Sequence, residues 1–176
     1  VIALADLARF DLEYAEQPVR SLDDLAVLRR KVDVRLAADE SVRTAADPMH
    51  IAEIDAADLV VLKVQPLGGV RRCLEVADAC GLPVVVSSAV ETSVGIAAGV
   101  ALAAALPELP FACGLGTVTL LSDDVCAEPL KPVDGELEVR TVVPDPDRLS
   151  ALAADDATAT WWRDRMHAAQ DVLDAR

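Results

Sequence analysis

Leu59-Val60-Val61-Leu62-Lys63, Val64-Gln65-Pro66-Leu67-Gly68-Gly69, the stretch from Val70 to Cys80, and Pro83-Val84-Val85-Val86-Ser87-Ser88 follow one another, with only Gly81 and Leu82 between the last two. The first and last are short, β-branched apolar runs, which read as buried strands. The stretch between them is helical, closed by Gly81 as a left-handed cap and by Pro83. A strand, a helix and a strand in this order make a parallel crossover unit.

Working outward, the same unit recurs at intervals of about two dozen residues. Upstream lie the runs Leu12-Glu13-Tyr14-Ala15-Glu16 and Val34-Arg35-Leu36-Ala37-Ala38-Asp39-Glu40, and downstream lies Phe111-Ala112-Cys113-Gly114-Leu115-Gly116-Thr117. Ile2 to Phe10 reads as a helix end. Ser21 caps the next helix, with Asp24 three residues on, an apolar stripe of Leu22, Leu25 and Leu28, and Arg29, Arg30 and Lys31 at its C-terminal end. Asp47-Pro48 starts another helix, continued by Ile51, Ile54 and Ala57. Val94 to Leu106 is so apolar that it must be covered on more than one side. Pro66-Leu67-Gly68-Gly69 reads as a tight loop. From Leu120 to Pro146 the chain is loop-like, with a short strand predicted over Leu137 to Val143. Trp161 to Leu173 reads as a last helix whose tryptophans are packing anchors.

The chain has 176 residues, 53% of them hydrophobic and 3% aromatic, with a mean hydropathy of +0.32. That supports one core built from Ala, Val, Leu and Ile, as suits a parallel sheet covered by helices. The net charge of −14 and pI near 4.4 argue against nucleic acid or an anionic membrane as partner. The apolar stretch from Val94 is too short to span a bilayer, and the acid-interrupted N-terminus does not read as a signal peptide. Cys73, Cys80, Cys113 and Cys126 show no CxxC spacing and read as buried free thiols. The expectation is a cytoplasmic protein.

Five such units do not close an eight-stranded barrel of about 250 residues. No GxGxxG follows the first strand, as a dinucleotide-binding open sheet would require. The pattern therefore predicts an α/β fold, the C-terminal portion of a (β/α) barrel with about five βα units and a C-terminal helix. Residues 1–120 would form the partial barrel. Residues 121–176 would supply a loop, a short strand and a helix that complete it and contact a cap. The first strands and the N-terminal cap are expected to be absent, so the chain is a fragment or associates through its open edges.

In a barrel, the C-terminal ends of the strands meet at one face. Those ends carry Glu16, Asp39-Glu40, Lys63, Ser87-Ser88 and Gly114-Leu115-Gly116. Two carboxylates on neighbouring strand ends can share Mg²⁺ through hard oxygen ligands, although acids there also serve as caps or surface charges. A lysine flanked by buried positions is costly unless paired or functional, and near a carboxylate it could move a proton or stabilise an anion. The serines and the glycine turn offer hydroxyls and N–H groups to an anionic substrate.

Several segments together resemble the muconate-lactonizing subgroup of the enolase superfamily. They are Tyr14-Ala15-Glu16-Gln17-Pro18, Ala38-Asp39-Glu40-Ser41, Val61-Leu62-Lys63-Val64-Gln65-Pro66-Leu67-Gly68-Gly69 and Ser87-Ser88-Ala89-Val90-Glu91-Thr92. Within it the chain is most similar to the actinobacterial o-succinylbenzoate synthase family, an assignment supported by the Ser93-Val94-Gly95-Ile96-Ala97-Ala98-Gly99 run and by Trp161-Trp162. The resemblance implies an enolase-type barrel. It also implies Mg²⁺-dependent dehydration of a succinylated hydroxycyclohexadiene carboxylate to o-succinylbenzoate, through an enediolate, in menaquinone biosynthesis. By that resemblance Glu16 and Asp39 would be metal ligands and Glu40 a supporting acid. Lys63 would face the enediolate, while Ser87, Ser88, Gly114, Leu115 and Gly116 would hold the substrate. The family's first aspartate ligand and its proton-abstracting Lys-x-Lys have no counterpart here, so this chain alone is expected to be inactive. An N-acylamino-acid racemase of the same superfamily and a non-catalytic, self-associating half-barrel are the alternatives.

Overall fold

The structure is a computed structural model and describes residues 1–175. Four strands form one sheet in the order β1-β2-β3-β4: β1 (Ala15–Glu16), β2 (Leu36–Ala38), β3 (Leu59–Leu62) and β4 (Val84–Val86). Every neighbouring pair is parallel. The connections are helical: α2 (Leu22–Arg29), α3 (Asp47–Glu53), then α4 (Val64–Leu67) and α5 (Val70–Cys80). Ahead of β1 lies α1 (Ile2–Leu7), and after β4 comes α6 (Ser93–Ala105). This is the expected chain of βα units.

The local signals work as their chemistry requires. The Ser21 hydroxyl accepts from Asp24 N at 3.1 Å and donates to the Asp24 carboxylate at 2.7 Å, which starts α2. Gly81 ends α5 at φ 65°, a left-handed position that costs glycine least. The predicted loop over Pro66 to Gly69 differs. Val64–Leu67 makes one helical turn, and Gly68 and Gly69, at φ 91° and 118°, then reverse the chain.

Strand alternation splits the sheet into two faces. Leu36, Ala38, Val60, Leu62, Val84 and Val86 pack in the same core as Leu25, Ile51, Cys73, Val76, Ile96 and Leu102 of the surrounding helices. Ala37, Leu59, Val61 and Val85 form a second, smaller cluster with Phe111, against which Tyr14 packs. Tyr14 and Phe111 meet edge to face at 5.4 Å. Two apolar faces on one parallel sheet are the layout of a barrel wall, with helices outside and side-chain layers inside.

Two predicted strands do not form. The segment Phe111 to Thr117 joins the sheet through a single parallel bridge, Ser87 to Gly114, and then enters a 3-10 turn over Thr117–Leu120. It has a partner on one side only, which leaves the segment an unpaired outer edge. Leu137 to Val143 makes no ladder; the antiparallel bridge is Val133 to Glu136, around a turn whose Asp134 and Gly135 have φ 51° and 82°. Alternation without a neighbouring strand is insufficient. Beyond it lie α7 (Pro146–Ala151) and α8 (Asp156–Asp174), the latter longer than predicted. Trp161 and Trp162 pack on each other at 4.7 Å and stay more than half exposed, so they anchor nothing among the described residues. No described helix is long and apolar enough to cross a membrane.

At the N-terminal ends of the strands, the Arg29 guanidinium donates to Asp58 from Nε at 3.0 Å and from its second arm at 2.7 Å. It also donates to Asp55 at 2.6 Å, while Asp58 accepts from Leu36 N at 2.8 Å. One carboxylate thus ties α2, β2 and the start of β3. Charge-assisted bonds of this kind contribute about 1.5–3 kcal/mol. Asp58→Ala should therefore lower unfolding free energy by about that amount in urea titration.

Candidate active site

Register places the functional side chains. Glu16 lies opposite Ala37, and Ala38 opposite Val60, so each strand end sits further along than the last. Leu62 pairs with Val86, which brings Lys63 level with Ser87 at the ends of β3 and β4. Residues Glu16, Asp39, Lys63 and Ser87 follow the inward positions Tyr14, Ala37, Val61 and Val85 by two residues each. They form one polar layer above the apolar inner cluster.

The centre of this layer is Asp39. Its side chain is 6% exposed, and it accepts from Lys63 Nζ at 2.5 Å and 2.6 Å, one bond to each oxygen. The Lys63 side chain is itself 16% exposed. Burying either charge alone would be very costly, and the bidentate pair meets that cost. Burial pushes the Glu16 carboxyl above the ordinary glutamate range; the Asp39 charge, a hydrogen bond with Asp39 and the Glu40 charge push the same way, while Lys63 acts against them. Two carboxylates forced together beside one ammonium form a site that favours added positive charge. Glu40 is exposed and acts on Glu16 only through its charge.

Each strand end is tied to the next. Gln17, which the sequence reading passed over, spans the first and second. Lys63 and Asp39 join the second and third. Gln65 Nε2 donates to Glu91 at 2.8 Å, joining the third and fourth, and Glu91 also accepts from Ala89 N at 2.9 Å. A side chain on Gly95 would lie 2.6 Å from the Glu91 carboxylate, so glycine there makes the notch that seats it. Ser88 Oγ donates to Gly114 O at 2.8 Å and shares a bond with Thr117 Oγ1 at 2.9 Å, joining the fourth and fifth. From behind, buried Asp124 accepts from Ser93 N at 3.1 Å and from the Ser93 hydroxyl, and that hydroxyl accepts from Leu130 N at 2.7 Å.

The predicted substrate positions therefore lie together, but partly engaged. Ser87 Oγ donates to Gly114 O at 3.3 Å, and Gly114 N donates to Val86 O at 2.9 Å, so that N–H is not free for a ligand. Leu115 is buried in the outer core. A Cβ on Gly114 would meet Ser87 Oγ at 2.5 Å and Ser87 Cβ at 3.2 Å. Gly114→Ala should rotate Ser87 away and cost about 1–3 kcal/mol by overpacking. The check is a chemical denaturation curve, whose midpoint should move to lower denaturant.

Among the described residues no three His, Cys, Asp or Glu side chains converge as a metal cage. Glu16 and Asp39 nevertheless fit a hard divalent cation, because Mg²⁺ commonly takes one or two carboxylates and completes its shell with water and substrate.

The sequence matches the enolase C-terminal domain-like family over residues 1–146. The chain belongs to that family. Among curated relatives, it is 60% identical over 164 residues to an o-succinylbenzoate synthase of Thermobifida fusca, covering 93% of this chain and 51% of the relative. It is 54% identical over 171 residues to an o-succinylbenzoate synthase of Mycolicibacterium smegmatis, covering 97% and 53%. The chain thus spans about half the length of these relatives. Among solved structures it resembles 2-chloromuconate cycloisomerase from Rhodococcus opacus 1CP, with a TM-score of 0.77 at 34% identity over 85% of this chain and 43% of that one. Muconate lactonizing enzyme from Pseudomonas fluorescens, solved with muconolactone, gives 0.73 at 26% identity over 80% and 40%. The enolase-type partial barrel and the family resemblance read from the sequence are both borne out.

Proposed function

We propose that this sequence forms the C-terminal barrel portion of an o-succinylbenzoate synthase. The observation that carries the reading is the buried Asp39–Lys63 pair beside Glu16 at the strand ends, in a chain 60% identical to a relative of that name. The proposed reaction breaks a C–H bond next to a carboxylate and a C–O bond of a ring hydroxyl, forms a C=C bond and releases water. Negative charge develops at the carboxylate as the proton leaves.

Glu16 and Asp39 would hold Mg²⁺, with Glu40 adding negative charge nearby. The ion, when bound, supplies Lewis-acid stabilisation of charge on the substrate carboxylate. Lys63 holds its positive charge at the floor of the site, where it offsets the same developing charge. Ser87, Ser88 and the Gly114-Leu115-Gly116 turn form the wall for the substrate's succinyl arm. Lys31 and Lys131 are the other lysines, and neither follows an inward strand position. We assign proton abstraction, and the third carboxylate ligand, to further barrel strands of the longer protein. In this division residues 1–120 contribute barrel wall, and residues 121–176 complete the contact with a cap. The setting would be the cytoplasm, in keeping with four free thiols, and the product would be a menaquinone precursor.

The test uses the protein in its full-length context with Mg²⁺. The hydroxycyclohexadiene substrate should yield o-succinylbenzoate, and N-succinylamino acids in D₂O should show no α-deuterium. Deuterium uptake without dehydration would instead establish a racemase. Absence of both activities, with concentration-dependent dimers in sedimentation, would establish a self-associating half-barrel.

A further inference from the structure

Gln17 follows Glu16 directly, at the end of β1. Its backbone lies at φ 38°, in the left-handed region, and immediately before Pro18. Both facts are unfavourable for a non-glycine residue: the left-handed region is strained for it, and a following proline disfavours compact conformations. Such strain persists only where surrounding bonds hold it. Here the holding bonds are on the side chain. Its Oε1 accepts from Asp39 N at 3.0 Å and from Ser41 N at 3.3 Å. Its Nε2 donates to Val19 O at 2.9 Å and to Ser41 Oγ at 2.9 Å. The Gln17 backbone N–H donates to Ala37 O at 2.9 Å.

The consequence is geometric. β1 and β2 are very short: their ladder reaches Glu16, opposite Ala37, and ends before Asp39. Beyond it, the Gln17 arm is what ties the residue after Glu16 to the backbone of Asp39. We propose that Gln17 is a positioning residue that sets the separation of the Glu16 and Asp39 carboxylates, and thereby the affinity of the site for a divalent cation. This rests on the reading of those two acids as cation ligands. The amide is suited to the task because it accepts and donates at once and carries no charge to compete with the ion.

The experiment is Mn²⁺ titration of the full-length protein carrying this sequence, followed by electron paramagnetic resonance of the free ion, with urea denaturation in parallel. Gln17→Met keeps the bulk and removes all four side-chain bonds. It should weaken Mn²⁺ by about tenfold or more, the usual cost of losing a partner that orients a ligand. Ser41→Ala removes one bond and leaves Asp39 N paired. It should lower stability slightly and leave Mn²⁺ affinity within about twofold. Gln17→Asn, whose arm is one methylene shorter, carries the test if Gln17→Met does not fold; it should weaken Mn²⁺ at least about threefold. Loss of stability with unchanged affinity in the folded Gln17 variant would overturn the proposal and leave a structural brace. Unchanged affinity in Glu16→Gln and Asp39→Asn as well would instead overturn the cation site itself.

Discussion

Lys63→Met should lower kcat of the full-length protein by about a hundredfold to a thousandfold, the cost of removing one preorganised stabiliser of developing charge. Methionine keeps the length and apolar stem of lysine and removes the ammonium. The same change should also destabilise the fold, because it leaves Asp39 buried and uncompensated beside Glu16. Removing one partner of a buried pair costs about 3–5 kcal/mol. The two effects separate on adding Mg²⁺: the cation replaces the missing positive charge, so much of the lost stability should return while turnover does not. Urea titrations with and without Mg²⁺, beside kcat, check this. Equal recovery of both would mean that Lys63 only compensates charge and takes no part in the chemistry.

Asp39→Asn should have the largest effect on cation binding. The amide preserves shape and still accepts from Lys63, yet it removes the more buried of the two carboxylates. A site for a hard cation depends on its count of anionic oxygens, so Mn²⁺ or Mg²⁺ affinity should fall by about a hundredfold or more. Glu40→Gln, by contrast, changes an exposed residue that acts on Glu16 through its charge. Its effect should stay within a few fold, because exposed charges are screened by water and salt. Calorimetric titration of both variants checks the contrast. Equal losses would mean that the cation sits outside the strand ends.

The βα rhythm was legible because strand and helix signals agreed with each other. Val84-Val85-Val86 is β-branched throughout, Ser21 and Gly81 mark helix ends, and Pro48 opens a helix at its first turn. The polar layer was legible for the same reason, since Glu16, Asp39, Lys63 and Ser87 each follow an apolar run. The expected strands at Phe111 to Thr117 and Leu137 to Val143 were not resolved by pattern alone, because a strand exists only with a neighbour to pair with. Trp161 and Trp162 suggested anchorage by size, yet composition does not say what a helix packs against. The braces were the least legible. Gln17, Glu91 and Thr117 join segments that are 22 to 29 residues apart. Proline after Gln17 marked a break in the strand but could not show where the amide would reach.

The proposed function requires a divalent cation and Lys63 to act together at these strand ends in removing water from the substrate. The most direct measurement is formation of o-succinylbenzoate by the full-length protein carrying this sequence, followed before and after removal of divalent ions with a chelator and then after restoring Mg²⁺. Product should form with Mg²⁺, cease after chelation and return on adding Mg²⁺ back, and in Lys63→Met it should form at least about a hundredfold more slowly under every condition. Product formation that continues undiminished after chelation, or in Lys63→Met, would contradict the proposed function.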